Sequence, residues 1–198
     1  VLVTGGTRGI GRAIVGAFVD EGAVVGFCAR DSTEVEATTE ALRSRGDATG
    51  SIVDVGDGDA LAAWVQKSAD AFGGLDVVVA NVSALAVPDT EENWQASMNV
   101  DLMHTVRLVR AAMPHLEHSD AASIIAISSV SGRESDFASG PYGTAKTAIV
   151  GYIQPKARFN YERLRYELRT GALGASIKVG EFTSFPNGSS CLGSPTSF

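Results

Sequence analysis

Short apolar runs rich in β-branched residues recur through the first three quarters of the chain. Five of them, bounded by Gly, Asp or Asn, predict buried strands at residues 1–3, 23–29, 51–53, 76–80 and 123–128. Between these runs, apolar residues return every three or four positions, which is the spacing of a helix with one buried face. The clearest cases cover residues 61–72 and 94–116. Strands that alternate with helices at these lengths predict a doubly wound α/β domain, whose parallel sheet carries helices on both faces.

The length and composition exclude several classes of protein. The 198 residues suffice for one domain with a substantial core, and a hydrophobic share of 44% excludes a disordered chain. Sixteen basic against 23 acidic residues leave a net charge of -7. An acidic surface repels phosphate backbones and anionic lipid, so neither nucleic acid nor a membrane is an expected partner. The two cysteines, Cys28 and Cys191, supply neither a disulfide framework nor a metal cluster.

A glycine-rich turn follows the first predicted strand directly. It reads Thr4-Gly-Gly-Thr-Arg-Gly-Ile-Gly11, with Gly5, Gly9 and Gly11 spaced as G-x-x-x-G-x-G. Glycines let a backbone turn sharply and approach a pyrophosphate, and the N-terminus of the following helix offers it free N–H groups. Because the turn joins a strand to a helix and leads to a second strand, it predicts a dinucleotide site in a Rossmann-type fold. The alternative is an ordinary tight βα turn.

The end of the second predicted strand bears on the choice of dinucleotide. A carboxylate there commonly holds the ribose 2′-hydroxyl of NAD, whereas an arginine suits the 2′-phosphate of NADP. Ala29 stands where the acid is expected, Arg30 follows it, and Arg8 of the glycine turn adds a second positive charge. Two guanidinium groups favour NADP(H), with NAD(H) as the alternative cofactor. In the opposing interpretation, Arg30 is a solvated residue that pairs with Asp31.

A Tyr-x-x-x-Lys pair and an upstream serine predict proton-transfer chemistry. Tyr142 and Lys146 are four residues apart, so a helix places them on one face, and Ser129 closes the fifth strand 13 residues before Tyr142. A tyrosine hydroxyl is ordinarily a poor base at neutral pH, and an ammonium beside it stabilises the phenolate. Ser129 would hydrogen-bond a substrate oxygen and orient it.

A second pair with the same spacing, Tyr152 and Lys156, is not the predicted one. Its upstream serine, Ser139, lies in a polar loop and not at a strand end, where ligands bind in open α/β sheets. Pro155 stands between Tyr152 and Lys156 and is expected to disrupt the helical register there. The sequence therefore favours Tyr142 and Lys146.

In this order, the motifs resemble the classical short-chain dehydrogenase/reductase family, in particular its 3-oxoacyl-thioester reductase-like members, over residues 1–154. The resemblance implies that Tyr142 transfers the proton, that Ser129 orients the substrate, and that Lys146 binds the nicotinamide ribose and supports Tyr142. It also implies a fourth catalytic residue, Asn99, which helps to hold a water connecting Lys146 to solvent. The expected cofactor-binding residues, with Asp54 near the adenine ring, are Gly5, Thr7, Arg8, Gly9, Ile10, Gly11, Arg30, Asp54, Val55, Asn81, Tyr142 and Lys146.

The chain departs from the family pattern in two places. After the fourth strand the family carries Asn-Asn-Ala-Gly, and this chain reads Asn81-Val-Ser-Ala84. Residues 155–198 match poorly, and the family's sixth strand is not recognisable there unless residues 176–179 are its remnant. Residues 156–170 are rich in arginine, and from Gly171 onward almost half of the residues are Gly, Pro or Ser, which favours loop. We expect residues 1–198 to form a single dinucleotide-binding domain with an incomplete or altered C-terminal part.

The predicted function is that of an NADP(H)-dependent oxidoreductase, which transfers hydride between nicotinamide and a carbonyl or secondary alcohol. Ketoacyl-thioester reduction is one subclass of this activity. The alternative is a non-catalytic dinucleotide sensor on the same scaffold, which needs the glycine turn but not the tyrosine.

The remaining expectations concern metals, assembly and location. Three histidines without a carboxylate or cysteine at ligand spacing predict no metal site. The chain has no signal-peptide pattern and no initiator Met, so we expect a cytoplasmic protein whose start lies upstream. The resemblance implies a homodimer or homotetramer that acts on a small molecule.

Overall fold

The computed structural model describes residues 1–134, 136–159, 165–171 and 176–179, with side chains up to residue 154. Strands and helices alternate along the chain, as the hydrophobic pattern predicts. In chain order they are β1 (Leu2–Thr4), α1 (Gly9–Asp20), β2 (Val25–Ala29), α2 (Ser32–Leu42), β3 (Ala48–Ile52), α3 (Gly58–Phe72), β4 (Val77–Ala80), α4 (Glu91–Ala96), a π-helical segment (Ser97–Met103), α5 (His104–Leu116), β5 (Ser123–Ser129), a 3-10 turn (Val130–Gly132), α6 (Pro141–Phe159), β6 (Arg165–Gly171) and β7 (Ser176–Val179). None of the described helices is long and apolar enough to cross a membrane.

The strands form one seven-stranded sheet in the order β3-β2-β1-β4-β5-β6-β7. The first six strands pair in parallel, and β7 runs antiparallel to β6. This confirms the predicted doubly wound α/β fold. Because β1 lies between β2 and β4, the chain changes its direction of progress across the sheet at that point. Open α/β sheets bind ligands at such a switch point, beyond the carboxyl ends of the strands.

Alternate residues of the central strands enter two hydrophobic cores, one on each face of the sheet. Leu2 packs in the core that contains the apolar faces of α3, α5 and α6. Val3, the next residue, packs in the core that contains the apolar faces of α1 and α2. Strands buried on both sides are expected to be continuously apolar, which explains why short unbroken runs marked them in the sequence.

The strand β3 lies earlier in the chain than predicted. It covers Ala48–Ile52, whereas the apolar run suggested residues 51–53. β3 is an edge strand, and none of its five residues is fully buried, so it lacks the apolar run of the central strands. Val53, which suggested the later position, is buried just after the strand ends.

The predicted long helix over residues 94–116 consists of three pieces. α4 and α5 are α-helical, and the seven residues between them, Ser97–Met103, form a π-helix. A π-helix has a wider turn than an α-helix and is frequently found at functional sites. The structure buries four polar side chains here, Ser97 and Asp101 in the π segment and His104 and Thr105 at the start of α5.

Two expectations about the C-terminal part are wrong. The sixth strand is β6, Arg165–Gly171, which pairs in parallel with all seven residues of β5. Residues 176–179 form the antiparallel edge strand β7 and not a remnant of the sixth strand. β6 escaped prediction because charged and uncharged residues alternate along it, so it has no apolar run. The Gly/Pro/Ser-rich segment predicted as loop begins at Gly171. Apart from residue 171 and β7, this segment lies outside the described residues.

Pro155 does not end the helix in which it stands. α6 continues from Pro141 through Pro155 to Phe159, so Tyr152 and Lys156 lie on one helix. A proline in a helix removes one N–H bond to the carbonyl four residues earlier, here that of Gly151. Gly151 is exposed, so its carbonyl can bond to water and the helix tolerates the loss.

Candidate active site

The glycine turn after β1 is tightly bent and depends on its glycines. Gly5 and Gly9 adopt positive φ values of 68° and 53°, which favour glycine. A Cβ on Gly11 would lie 2.0 Å from the carbonyl oxygen of Gly5, so only glycine fits at this position. A Cβ on Gly9 would meet nothing within 4 Å, which means that the turn faces open space there. Arg8 is the N-cap residue of α1, and its side chain makes no hydrogen bond to the N–H groups of the helix. The first N–H groups of α1 are therefore available to an anion.

Asn81 braces this turn from the end of β4. Its Nδ2 donates to the carbonyl oxygens of Thr4 and Gly5 at 3.0 and 3.2 Å. Its backbone N–H donates to Oγ1 of Thr4 at 3.0 Å. Asn81, an expected cofactor residue, therefore donates its side-chain N–H groups to carbonyls of the glycine turn. These bonds join the ends of β1 and β4 at the switch point.

His104 supports the same junction from α5. Its side chain is fully buried, with Nδ1 3.1 Å from the Val100 carbonyl and Nε2 2.9 Å from Oγ1 of Thr4. A carbonyl only accepts, so the proton is assigned to Nδ1, and Nε2 accepts from the Thr4 hydroxyl. Burial lowers the pKa of His104 from 6.5 to about 3, and the positive charges of Lys146 and Arg107 act in the same direction. His104 is thus a neutral structural residue.

The residues expected at the cofactor 2′-position lie at the surface beside the glycine turn. Arg30 is exposed, and Arg8 lies 3.8 Å from Glu34 of α2 with most of its side chain in solvent. The hydroxyl of Thr7 donates to the same carboxylate at 2.8 Å. Asp31 accepts from the Glu34 N–H as the N-cap of α2. Among the described residues, no ion pair joins Arg30 to Asp31, so Asp31 leaves Arg30 free for a ligand.

Asp54 and Val55 follow the carboxyl end of β3. Asp54 accepts from the Gly56 N–H at 2.8 Å, and Val55 is buried. Asn99 donates from Nδ2 to the Gly56 carbonyl at 3.3 Å, and its Oδ1 accepts from Arg107 at 2.7 Å. Asn99 thus bonds to the loop after β3 and to α5.

The end of β5 lies unusually close to α6. A Cβ on Gly132 would lie 2.8 Å from the backbone of Lys146, and a Cβ on Gly143 would lie 2.8 Å from the Ala138 carbonyl. Glycine at both positions therefore permits the approach. The buried hydroxyl of Ser128 donates to the Lys146 carbonyl at 2.9 Å and fixes α6 against the strand.

Tyr142 and Lys146 come together on one face of α6. The Nζ atom of Lys146 lies 5.5 Å from the centre of the Tyr142 ring. Lys146 is only 2% exposed, and its Nζ donates to the Ile127 carbonyl of β5 at 3.2 Å. Nζ also lies 2.9 Å from Oδ1 of Asp101, which is completely buried. The ammonium thus lies between the tyrosine ring and a carboxylate.

Ser129 stands at the last position of β5, as predicted. Its Oγ lies 3.4 Å from the hydroxyl of Ser131 and accepts from the Ser131 N–H at 3.3 Å. The Ser131 hydroxyl donates to Asp136 at 2.7 Å. These bonds hold the Ser129 hydroxyl at the carboxyl edge of the sheet, on the strand that α6 contacts.

Asp101 is the site residue that the sequence prediction missed. It belongs to the π segment, and Val100 and Leu102 flank it. An acid between two apolar residues in a predicted buried helix is an available signal, because an isolated charge in such a place must find a partner. In the folded chain its partner is Lys146, whose Nζ lies 2.9 Å from Oδ1 of Asp101.

Comparison with known proteins identifies the family of the chain. The family model for short chain dehydrogenases matches residues 1–163. The chain belongs to the short-chain dehydrogenase family. This short-chain dehydrogenase is 42% identical to isoepoxydon dehydrogenase of Penicillium expansum over 165 residues, which cover 80% of the chain and 63% of the relative. It is 32% identical, over 77% of the chain and 61% of the relative, to a Streptomyces virginiae protein named for ketoacyl reduction in the monensin polyketide synthase.

The fold of this short-chain dehydrogenase also matches solved structures. A short chain dehydrogenase from Burkholderia cenocepacia in complex with NADP superposes with a TM-score of 0.79 at 27% identity. The superposition covers 84% of this chain and 71% of that one. The chain spans 63% of the length of its first curated relative. What the comparisons establish is the family and the fold of the chain.

Proposed function

We propose that this chain is an NADP(H)-dependent oxidoreductase that transfers hydride between nicotinamide and a carbonyl or secondary alcohol. The observation that carries the proposal is the pairing of the Tyr142 ring with the buried ammonium of Lys146, 5.5 Å away, beside the end of β5. The glycine turn opens at the same carboxyl edge of the sheet. A site for a dinucleotide and a tyrosine able to move a proton are thus on one side of the molecule.

The residues present fit a nicotinamide dinucleotide. The open space at Gly9 and the uncapped start of α1 would take the pyrophosphate. The Lys146 ammonium has three N–H donors; it donates one hydrogen bond, to the Ile127 carbonyl, and lies 2.9 Å from Oδ1 of Asp101, so a donor is available for a ribose hydroxyl. When bound, the coenzyme supplies or accepts the hydride.

The chain's own contribution is the proton and the orientation of the substrate. In the direction of reduction, the Tyr142 hydroxyl donates its proton to the substrate oxygen as the carbonyl carbon gains hydride, which gives the alcohol. The Lys146 ammonium then stabilises the phenolate that remains. Ser129 hydrogen-bonds the substrate oxygen and holds it toward the tyrosine. In oxidation, the same groups take the proton back.

Two observations support NADP(H) over NAD(H). Arg30 is exposed without an ion-pair partner among the described residues, and Arg8 is exposed beside the glycine turn. The related structure from Burkholderia cenocepacia is a complex with NADP. A guanidinium binds a phosphate through two parallel hydrogen bonds, so either arginine suits a 2′-phosphate.

The test is turnover of the full chain and of two tyrosine variants. NADPH oxidation is followed with ketones and ketoacyl thioesters, and NADP+ reduction with secondary alcohols that include isoepoxydon. Tyr142→Phe should lower kcat by about a hundredfold or more, the usual contribution of a positioned acid or base. Tyr152→Phe removes a hydroxyl from the same helix and should leave kcat within about threefold.

Two results would contradict the proposal. Activity of Tyr142→Phe within about tenfold of the parent would exclude the tyrosine as the proton donor. Tight NADPH binding without turnover of any compound would instead favour the dinucleotide sensor.

A further inference from the structure

A buried ion pair joins the π segment to α6. Asp101 Oδ1 lies 2.9 Å from Nζ of Lys146, and the two side chains are 0% and 2% exposed. Removing two charges from water is costly, and a buried pair persists only where its geometry and its remaining hydrogen bonds are good. This pair therefore marks a strongly constrained part of the site.

The second oxygen of Asp101 is also engaged. Oδ2 accepts from the Ala84 N–H at 3.1 Å, in the loop that follows β4. The carboxylate thereby connects three parts of the chain, namely the π segment, the loop after β4 and α6. Asn99, two residues earlier, has its amide bonded to Gly56 and Arg107 instead. In the described part of the chain, Asp101 is the acid within contact distance of the lysine.

Among the described residues, Asp101 is the one buried acid beside Lys146. Lys146 and Arg107 each act on the buried neutral ring of His104 on α5. β5 presents the Ser128 hydroxyl to α6, the 3-10 turn presents the Gly132 carbonyl, and the β6 side chains lie outside the described part. The remaining charged side chains on or beside the elements that pack against α6 are exposed and screened by solvent, namely Glu91, Glu92, Arg133, Glu134 and Asp136.

We propose that Asp101 is a positioning residue, which holds the Lys146 ammonium beside Tyr142. The role of Tyr142 in this inference rests on the proposed function. Burial disfavours a lysine charge that has no partner, so without the carboxylate the ammonium would leave its place or give up its proton. In both cases Tyr142 would lose the positive charge beside its ring.

The test is the substitution Asp101→Asn, which keeps the shape of the side chain and removes its charge. The ionisation of Tyr142 is read from the near-ultraviolet absorbance of tyrosinate, as the difference between each protein and its Tyr142→Phe counterpart. Its midpoint should rise by about one pH unit, the effect of losing one positive charge several ångströms away inside a protein. The pH profile of kcat/KM should move by the same amount.

Asp20→Asn is the matched control, because it removes a carboxylate from an exposed ion pair with Arg45. It should leave the midpoint unchanged. A midpoint that stays in place or falls in folded Asp101→Asn would overturn the proposal. The tyrosinate titration needs no turnover, so a chain that reduces no substrate would refute the proposed function and still give a result for Asp101.

A measurement on the unsubstituted protein covers the case in which Asp101→Asn does not fold. A buried, ion-paired ammonium exchanges its hydrogens with water slowly, and nitrogen-15 NMR detects the signal. The Lys146 signal is assigned by its loss in Lys146→Arg, and the exposed Lys67 gives the reference for fast exchange. A Lys146 ammonium that exchanges as fast as that of Lys67 would disprove the ion pair in solution.

Discussion

Replacing Gly11 by alanine should destabilise the protein, although alanine is the better helix former. Gly11 lies in the first turn of α1, where alanine would ordinarily stabilise the helix by about 1 kcal/mol. In this structure, however, its Cβ would lie 2.0 Å from the Gly5 carbonyl oxygen and 2.5 Å from Nδ2 of Asn81. Ordinary van der Waals contact begins near 3.4 Å, so the turn must move by more than 1 Å.

The cost of this movement follows from what it disturbs. Overpacking costs roughly 1–3 kcal/mol, and each hydrogen bond that Asn81 loses to the turn costs about 1 kcal/mol. After the gain in helix propensity, we expect Gly11→Ala to lower the free energy of unfolding by about 2–3 kcal/mol. For a chain of this length, that corresponds to a fall in Tm of about 4–12 °C.

Gly151→Ala is the matched control for this prediction. Gly151 is an exposed residue of α6, and a Cβ there would meet nothing within 4 Å. Its replacement should raise the Tm by about 2–4 °C, because only the gain in helix propensity applies. The two substitutions are chemically identical and should have opposite signs in thermal unfolding. A Gly11→Ala protein as stable as the parent, with unchanged affinity for NADPH, would refute the steric argument.

Two further predictions concern His104 and Arg30. The folded-state pKa of His104 is about 3 against 6.5 ordinarily, so its contribution to stability is complete above pH 6.5 and is lost as the pH falls toward 3. In denaturant titrations from pH 6.5 down toward 3, the free energy of unfolding of His104→Gln should fall by up to about 1.4 kcal/mol less per pH unit than that of the parent. The exposed His118→Gln should show the same pH dependence as the parent. Arg30→Ala should weaken NADPH binding by about tenfold or more and leave NADH binding unchanged, because it removes a charge-assisted phosphate contact. Equal losses for both cofactors in fluorescence titrations would reject that contact.

The sequence allowed prediction wherever the controlling interactions are local. The glycine turn is recognisable because Gly5, Gly9 and Gly11 are all required within seven residues. Tyr142 and Lys146 lie one helical turn apart, so a helix alone brings them to one face. The buried central strands carry their own apolar runs for the same reason.

Prediction failed where long-range pairing decides the structure. β3 and β6 are strands because β2 and β5 pair with them, and neither has the apolar run of a central strand. Asp101 shows in the sequence only as an acid between two apolar residues, because its partner Lys146 follows 45 residues later in the chain. A helical pattern of period 3.6 also does not distinguish an α-helix from the π segment that places Asp101.

The π segment makes this helix sensitive to its length. Deleting one residue from the segment would let its hydrogen bonds return to the α-helical pattern, which would change the angles between the side chains of the segment while α4 and α5 kept nearly the same relative orientation. Asn99 or Val100 would then face a different neighbour, and the carboxylate could no longer meet Lys146 and the Ala84 N–H together. A deletion in the loop before Glu91 would change no such angle. The contact between acid and lysine thus depends on the number of residues in the helix as much as on which residues they are.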